Sequence, residues 1–453
     1  MTGPRSVDAA DVIDSAPLSG LQKRVIAFCC LIALIDTYDT QSMAFTASSV
    51  AADWGVPVAA ITPVFVAALV GMMVGGLLFG PLADRFGRRR MIIICAVVFG
   101  LGTLAVPLTD SLGPLMVIRF VTGIGVGGIF PNLIAMAAEY SPRRMRSTVV
   151  TVVGAGMILG GFVGGFVAAF LMPAFGWHSV FLVGGGLTVV LVVVAVFWLP
   201  ESVQFLLVKG RTREAAQLVR QIDPATVTEE TEVVASASTT EQRAPVSALF
   251  TGGRAAITLL LWVTFCLSLL VMYFLLNWLP SLIQIAGMSQ TTGLVATALF
   301  NLGGAIGGIA LGLATDRLRK PLPILFGAAT LSVAAIVGMT FSLGSEALLL
   351  TAALLAGAGV AGSQNGLTAF ASSRYPTEIR STGVGWAIGI GRVGSIAGPV
   401  VGGGLIAAGL DGPAIVLLVA IPAAAILLCL LAIGAQGRRT RRRAPDAQVG
   451  LTA

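Results

Sequence analysis

Charge is what this sequence has little of. Asp, Glu, Lys and Arg make up 11% of the 453 residues, and 56% are hydrophobic, whereas a soluble domain carries about 25% charged residues. With a mean hydropathy of +0.93, the chain reads as an integral membrane protein, and neither a soluble globular domain nor a disordered chain fits. Histidine is almost missing: His178 stands alone, in FGWHS at the end of an apolar run, so a mid-membrane histidine relay is excluded. Cysteine is scarce as well. Cys29, Cys30, Cys95, Cys266 and Cys429 all fall inside apolar runs without disulfide or metal spacing and read as small packing residues. There is no metal-ligand cluster, nucleophile elbow or phosphate loop, and no soluble domain large enough to house one. An enzyme is therefore not expected, nor a cofactor or a metal. The opening residues, MTGPRSVDAADVIDSAPLSG, are polar and acidic with no apolar h-region, so no cleavable signal peptide is expected.

What is present is a long series of apolar runs. A helix needs about 20 apolar residues to cross a bilayer, and breaks in hydropathy place spans near 24–46, 60–80, 91–109, 114–138, 147–172, 177–199, 255–284, 293–314, 322–342, 346–370, 381–408 and 411–434. Short cytoplasmic loops should hold the Lys and Arg residues. With the N-terminus inside, every one of the 28 Lys and Arg residues except Arg119 and Arg392 falls on that side, and those two lie inside spans. The net charge of +7 is thus a topology signal, and the basic tail does not call for a nucleic acid. The expected fold class is an all-α membrane protein of about twelve transmembrane helices in two six-helix halves. Residues 1–23 form an N-tail, 24–199 and 255–434 the two bundles, 200–254 a cytoplasmic linker and 435–453 a basic cytoplasmic tail. The linker opens with PESVQFLLVKGRTREAAQLVRQI, spaced for a short amphipathic helix on the inner surface. It continues as VTEETEVVASASTTEQRAP, whose acidic, Ser/Thr-rich composition predicts disorder.

The two halves repeat one motif. GPLADRFGRRR at 80–90 follows the second span and GLATDRLRKPL at 312–322 follows the eighth. Gly80, Asp84, Arg85, Gly87 and Arg88 at this spacing resemble the cytoplasmic signature of the major facilitator superfamily. In that superfamily the loop is a conformational latch whose aspartate and arginines bridge helix ends in the outward-facing state. The resemblance extends that role to Asp84, Arg85 and Arg88 and to Asp316 and Arg317, although the second copy lacks the later glycine. RFVTGIGVGGIFPNL in the fourth span resembles the superfamily's arginine followed by spaced glycines. There Gly123, Gly125, Gly127 and Gly128 would let another helix backbone come close. IDTYDTQSMAF at 35–45, LPESVQFLL at 199–207 and YPTEIRSTGVGWAIGIGRVGSIAGP at 375–399 are similar to the aromatic acid/proton symporter family within it. Thr37 departs from that pattern, since the family commonly has glycine there. The fifth span, with GAGMILGGFVGGF, lacks a clear antiporter Gly-Pro pattern, which favours symport.

Asp36 and Asp39 sit mid-span, where each charge costs about 2.5 to 3.5 kcal/mol on insertion scales, so a function is the default reading. At i, i+3 they share one helix face. Two such carboxylates in a low dielectric cannot both ionise comfortably and are expected to titrate as a unit, the behaviour of a proton carrier. Counting about 1.5 Å per residue from expected span ends puts Asp39 and Arg119 near one level. Arg119 is therefore expected to face the aspartates and sense their protonation, or else to form a static pair that holds two helices in register. Arg392 lies near the centre of the eleventh span, and no acidic residue in the second half's spans lies at that depth. A guanidinium suits the bidentate grip of a substrate carboxylate; pairing with a first-half aspartate or with helix carbonyls is the alternative. Gln364, Asn365, Asn301 and Tyr38 are further polar span residues that could read a ring hydroxyl or serve helix-helix hydrogen bonds. Phe45, Phe300, Phe370 and Trp386 could stack on a ring or simply pack.

These residues and the resemblance together imply a monomeric, proton-coupled symporter in the lipid bilayer of a bacterial cytoplasmic membrane, both termini inside. It would import an aromatic carboxylate such as a hydroxybenzoate, bound between the halves near Arg392. A carrier of another organic acid or a sugar, or an aromatic-acid sensor that moves nothing, is the alternative.

Overall fold

The computed structural model describes residues 6–224, 226, 231–234, 245–342 and 344–443. Eleven helices among them are long and apolar enough to cross a membrane, and twelve with the first long helix, which qualifies together with the short helix before it, bent 92° away. The chain divides into two compact units, Met1–Gly55 with Pro63–Thr240, and Val56–Thr62 with Glu241–Ala453.

The first unit begins with strand β1 (Ser6–Asp8) and helix α1 (Ala9–Ser15), started by the Asp8 carboxylate. The long helices are α2 (Gly20–Asp53), α3 (Thr62–Phe86), α4 (Arg88–Ala105), α5 (Leu112–Glu139), α6 (Arg146–Phe175) and α7 (His178–Trp198). Ser19 and Gln22 close a capping box at the start of α2, and the Gln22 amide also donates to the buried Tyr140 carbonyl at 2.9 Å. α2 packs on α6, and α4 packs between α5 and α7. α3 and α5 come together backbone to backbone: a Cβ at Gly71 or Gly75 would strike carbonyls of α5, and one at Gly123 or Gly127 would strike those of α3. Gly125 and Gly128 meet α4 and the Phe79 ring in the same way, so the glycine pattern of the fourth span is a packing device.

Beyond α7 come α8 (Val203–Val208), α9 (Thr212–Ile222) and strand β2 (Glu232–Val234). Ala215, Val219 and Ile222 of α9 are buried with Val12 and Ile13 of α1, the amphipathic face expected there. The N-terminal residues are held to the unit: β1 pairs in parallel with β2, Ser6 opposite Glu232, and Asp14 binds Arg143 through its carboxylate and Arg144 through its carbonyl. The same pairing gives residues 232–234, expected to be disordered, an ordered partner that composition does not reveal. Residues 225, 227–230 and 235–244 of that linker and 444–453 of the basic tail lie outside the described residues.

The second unit holds α10 (Ala255–Ile285), α11 (Gln290–Leu318), α12 (Pro321–Phe341), α13 (Glu346–Val360), α14 (Ser363–Ser372), α15 (Thr377–Ala407) and α16 (Gly412–Arg443). The tenth expected span, 346–370, is two helices broken at Ala361–Gly362, where Gly362 lies against the backbone of α11. α10 packs on α15 and α16, and α11 on α13. A Cβ at Gly303 or Gly357 would collide with the facing backbone, the counterpart of the α3–α5 contact.

Candidate functional site

The buried charge of the first unit is concentrated at one level. Asp36 and Asp39 on α2 and Arg119 on α5 are each no more than 2% exposed. Arg119 Nη1 lies 3.5 Å from Asp39 Oδ1, and its Nη2 donates to the Asp39 carbonyl at 3.3 Å. The same carbonyl accepts from Ser42 at 2.6 Å. Thr103 of α4 donates to Asp39 Oδ1, and its hydroxyl also reaches the carbonyl of Phe99 at 2.7 Å. Asp39 Oδ2, Asp36 Oδ1 and the Nε of Arg119 have no hydrogen-bond partner. Cys95 of α4 lies near Asp36, and Ile32, Cys95, Phe99 and Ile129 belong to the apolar core of this unit.

Arg119 therefore pairs with Asp39 and not with Asp36, so the two carboxyls, alike in sequence, have different surroundings. The contact forms on a longer helix than the expected span 24–46, since α2 continues to Asp53. Two charges leaving water together need each other and further hydrogen bonds to be tolerated. Asp39 has such bonds, and Asp36 has one carboxyl oxygen with none. Thr37 returns its hydroxyl to Ala33 of its own helix at 3.3 Å.

Tyr38 is 4% exposed. Its hydroxyl donates to the Val180 carbonyl at 2.9 Å, and its ring lies where Gly164 and Gly184 leave room, so it ties α2 to α7. In the second unit Gln364 donates to Ser268 at 2.9 Å, holding α14 to α10. Asn301 is buried and donates to Thr297 of its own helix; Asn365 is exposed. Arg392 is half-buried on α15, in the turn that Ser395 closes by donating to its carbonyl. Phe45, Phe300 and Phe370 are fully buried, and Trp386 stacks on Trp262.

A second cluster sits where α3 turns into α4. Gly87 takes φ 101°, a conformation that disfavours any side chain, and a Cβ there would meet the carboxylate of Glu201. Glu201 accepts from the Arg89 backbone N–H at 3.0 Å, at the amino end of α4. Arg88 pairs with Glu139 at 2.8 Å, Ser202 donates to Glu139, and Tyr140 donates to the Glu201 carbonyl at 2.6 Å. Burial pushes the Tyr140 phenol up, and the nearby Glu139 and Glu201 carboxylates push it further. Asp84, Arg85, Asp316 and Arg317 are exposed, and Asp84 and Asp316 make no ion pair among the described residues; Gly80 lies within α3. The expected latch residues thus divide: Arg88 and Gly87 belong to a built network, and the others stand free of it. Glu139, Glu201 and Ser202 join this network beyond the expected site residues, and their signal in the sequence is an acid at the end of the fourth span and LPES after the sixth.

Comparison with known proteins adds the lineage. The family model described as Major Facilitator Superfamily matches residues 29–296 and 290–452. The 4-hydroxybenzoate transporter PcaK of Pseudomonas aeruginosa is 39% identical over 94% of this chain and 96% of its own length. The gallate transporter of Pseudomonas putida is 38% identical over 94% and 95%. Among solved structures, the xylose transporter XylE from E. coli superimposes with a TM-score of 0.69 at 16% identity, over 91% of this chain and 98% of that one. With both halves matched, and relatives this similar along nearly their whole length, the chain belongs to the Major Facilitator Superfamily, a family of transporters and not of enzymes.

Proposed function

We propose that this protein imports an aromatic carboxylic acid of the hydroxybenzoate class together with protons, by alternating access. It works as a monomer in the bacterial cytoplasmic membrane with both termini inside. The substrate class rests on the relatives named as 4-hydroxybenzoate and gallate transporters. The observation that carries the proton is the buried Asp39–Arg119 pair beside an Asp36 carboxyl that has an oxygen without a partner. When Asp39 takes a proton, its attraction to Arg119 falls away and α2 and α5 are released from each other; when the proton leaves, the pair reforms. Asp36, three residues along the same face, offers a second carboxyl. Arg392 takes the substrate carboxylate, and the turns bearing Gly80, Asp84, Arg85, Arg88, Asp316 and Arg317 act as the latch.

Electrical cost sets the stoichiometry to look for. A negative-inside potential opposes entry of a monoanion by about 2.3 kcal/mol per 100 mV and favours each proton equally. One proton per anion is silent, whereas two give inward positive current. Purified protein in proteoliposomes, on a solid-supported membrane and with an internal pH dye, should acidify the lumen when 4-hydroxybenzoate, benzoate or gallate is added, and not for glucose or a quaternary amine. Asp39→Asn should abolish the acidification. Acidification with glucose alone, or aromatic-acid uptake with no proton movement, sinks the reading.

A further inference from the structure

We propose that Thr103 positions the Asp39 carboxyl in both of its protonation states, reversing the direction of their hydrogen bond as the proton arrives and leaves. The inference rests on the proton-coupled reading above. Thr103 is fully buried on α4, and its hydroxyl lies within reach of two acceptors, Asp39 Oδ1 and the carbonyl of Phe99 one turn earlier. A hydroxyl has one hydrogen and two lone pairs, so it cannot donate to both at once. With Asp39 ionised, Thr103 donates to the carboxylate. With Asp39 protonated, the carboxylic O–H donates to Thr103, whose own hydrogen turns to Phe99. The new proton bonds to a carboxylate oxygen and departs from it; no heavy atom has to move for the threonine to change role.

Arg119 cannot do this, because it only donates. One of its contacts, to the backbone carbonyl of Asp39, is indifferent to protonation, and the other is an attraction that vanishes when the carboxylate is neutral. The two partners are thus complementary: Arg119 distinguishes the states, and Thr103 holds the carboxyl in place through both. Other titratable groups near Asp39 are Asp36 and Tyr38 on α2 and Cys95 on α4, which lies by Asp36. Tyr38 is engaged with Val180. The titratable residues of α6 and α7, Arg146 and His178, stand at the first position of their helices.

The test separates net proton-driven accumulation from counterflow, in which labelled 4-hydroxybenzoate exchanges across proteoliposomes without net proton movement. Thr103→Val keeps the shape and removes the hydroxyl; losing a hydrogen bond to an ionised group corresponds to about tenfold or more. Accumulation driven by a pH gradient should fall by about that factor while counterflow stays within about twofold, and Thr103→Ser should restore accumulation. Thr103→Val accumulating like the unaltered protein overturns the role of Thr103 alone. So does parallel loss of accumulation and counterflow that Thr103→Ser does not rescue, which marks a merely structural residue. If Thr103→Val does not fold, Thr103→Ser and Thr103→Cys decide: serine must couple and cysteine, a weak donor and acceptor, must couple worse, and equal coupling overturns the proposal. If the unaltered protein accumulates 4-hydroxybenzoate without moving protons, the functional reading fails, and this inference with it.

Discussion

After α3 the first unit turns through Gly87 at φ 101°, and after α11 the second unit turns through Arg319 at φ 51°. The two positions correspond in the repeat, three residues beyond Asp84 and Asp316, and both demand the left-handed region. Around the first turn, Arg88, Arg89, Glu139, Glu201, Ser202 and Tyr140 form a continuous network. Around the second, Asp316, Arg317, Arg319 and Lys320 are exposed and make no side-chain hydrogen bond or ion pair among the described residues. The difference comes from the chain beyond each bundle. Past α7 that chain supplies LPES and so the Glu201 carboxylate, whereas α16 ends in the basic run GRRTRRR. The interiors differ in the same sense: the first unit buries Asp39 against Arg119, and in the second the acids of the helices, such as Asp316, Glu346 and Glu378, lie in terminal turns. The two corresponding turns thus share a positive φ and differ in the charge built around it.

The contrast can be broken most severely at Arg119. Arg119→Gln leaves Asp39 buried without its cation, and loss of one partner of such a pair costs about 3–5 kcal/mol. Thermal unfolding in detergent should show a large drop that Asp39→Asn in the same chain partly restores, and an unchanged melting temperature in Arg119→Gln would refute the pair's weight. At the turns the two halves should respond with opposite sign. Gly87→Ala places a Cβ against Glu201 in a left-handed conformation and should destabilise by about 1–3 kcal/mol. Arg319→Gly relieves an unfavourable φ and should be neutral or stabilising by up to about 1 kcal/mol. Denaturant titration of both variants checks this, and a matching loss in the two would refute the asymmetry.

Transport kinetics sharpen the comparison further. Arg392→Lys keeps the charge and loses the fork, so the apparent KM for 4-hydroxybenzoate should rise by about tenfold with the melting temperature unchanged. An unaltered KM would remove Arg392 from the substrate. Least affected should be Gln364→Leu, since a membrane side-chain hydrogen bond averages about 0.6 kcal/mol. A change in substrate preference there, measured by competition with ring-substituted benzoates, would show that the amide does more than bridge α14 to α10.

Hydropathy and the distribution of Lys and Arg were enough to locate the membrane helices, because burying backbone in lipid leaves few ways to build a span. They erred where tertiary contact decides. α2 continues to Asp53, and residues 6–8 find a strand partner more than two hundred positions away. The aspartates announced themselves by being expensive. Thr103 did not, since a threonine in a helix is inconspicuous until a carboxylate is seen beside it. Tyr38 could not be placed from its spacing, because its partner is a backbone carbonyl on α7, a group every residue carries. Glu139 and Glu201 were readable as acids near helix ends; what the sequence withheld is that one arginine row joins them.

The short strand pair also dictates an order of assembly. Residues 6–8 leave the ribosome before their partner, 232–234, which emerges only after the six long helices of the first unit have been synthesised. The parallel pair can therefore close only once those helices have been made, and it joins the stretch before that bundle to the stretch just beyond its end.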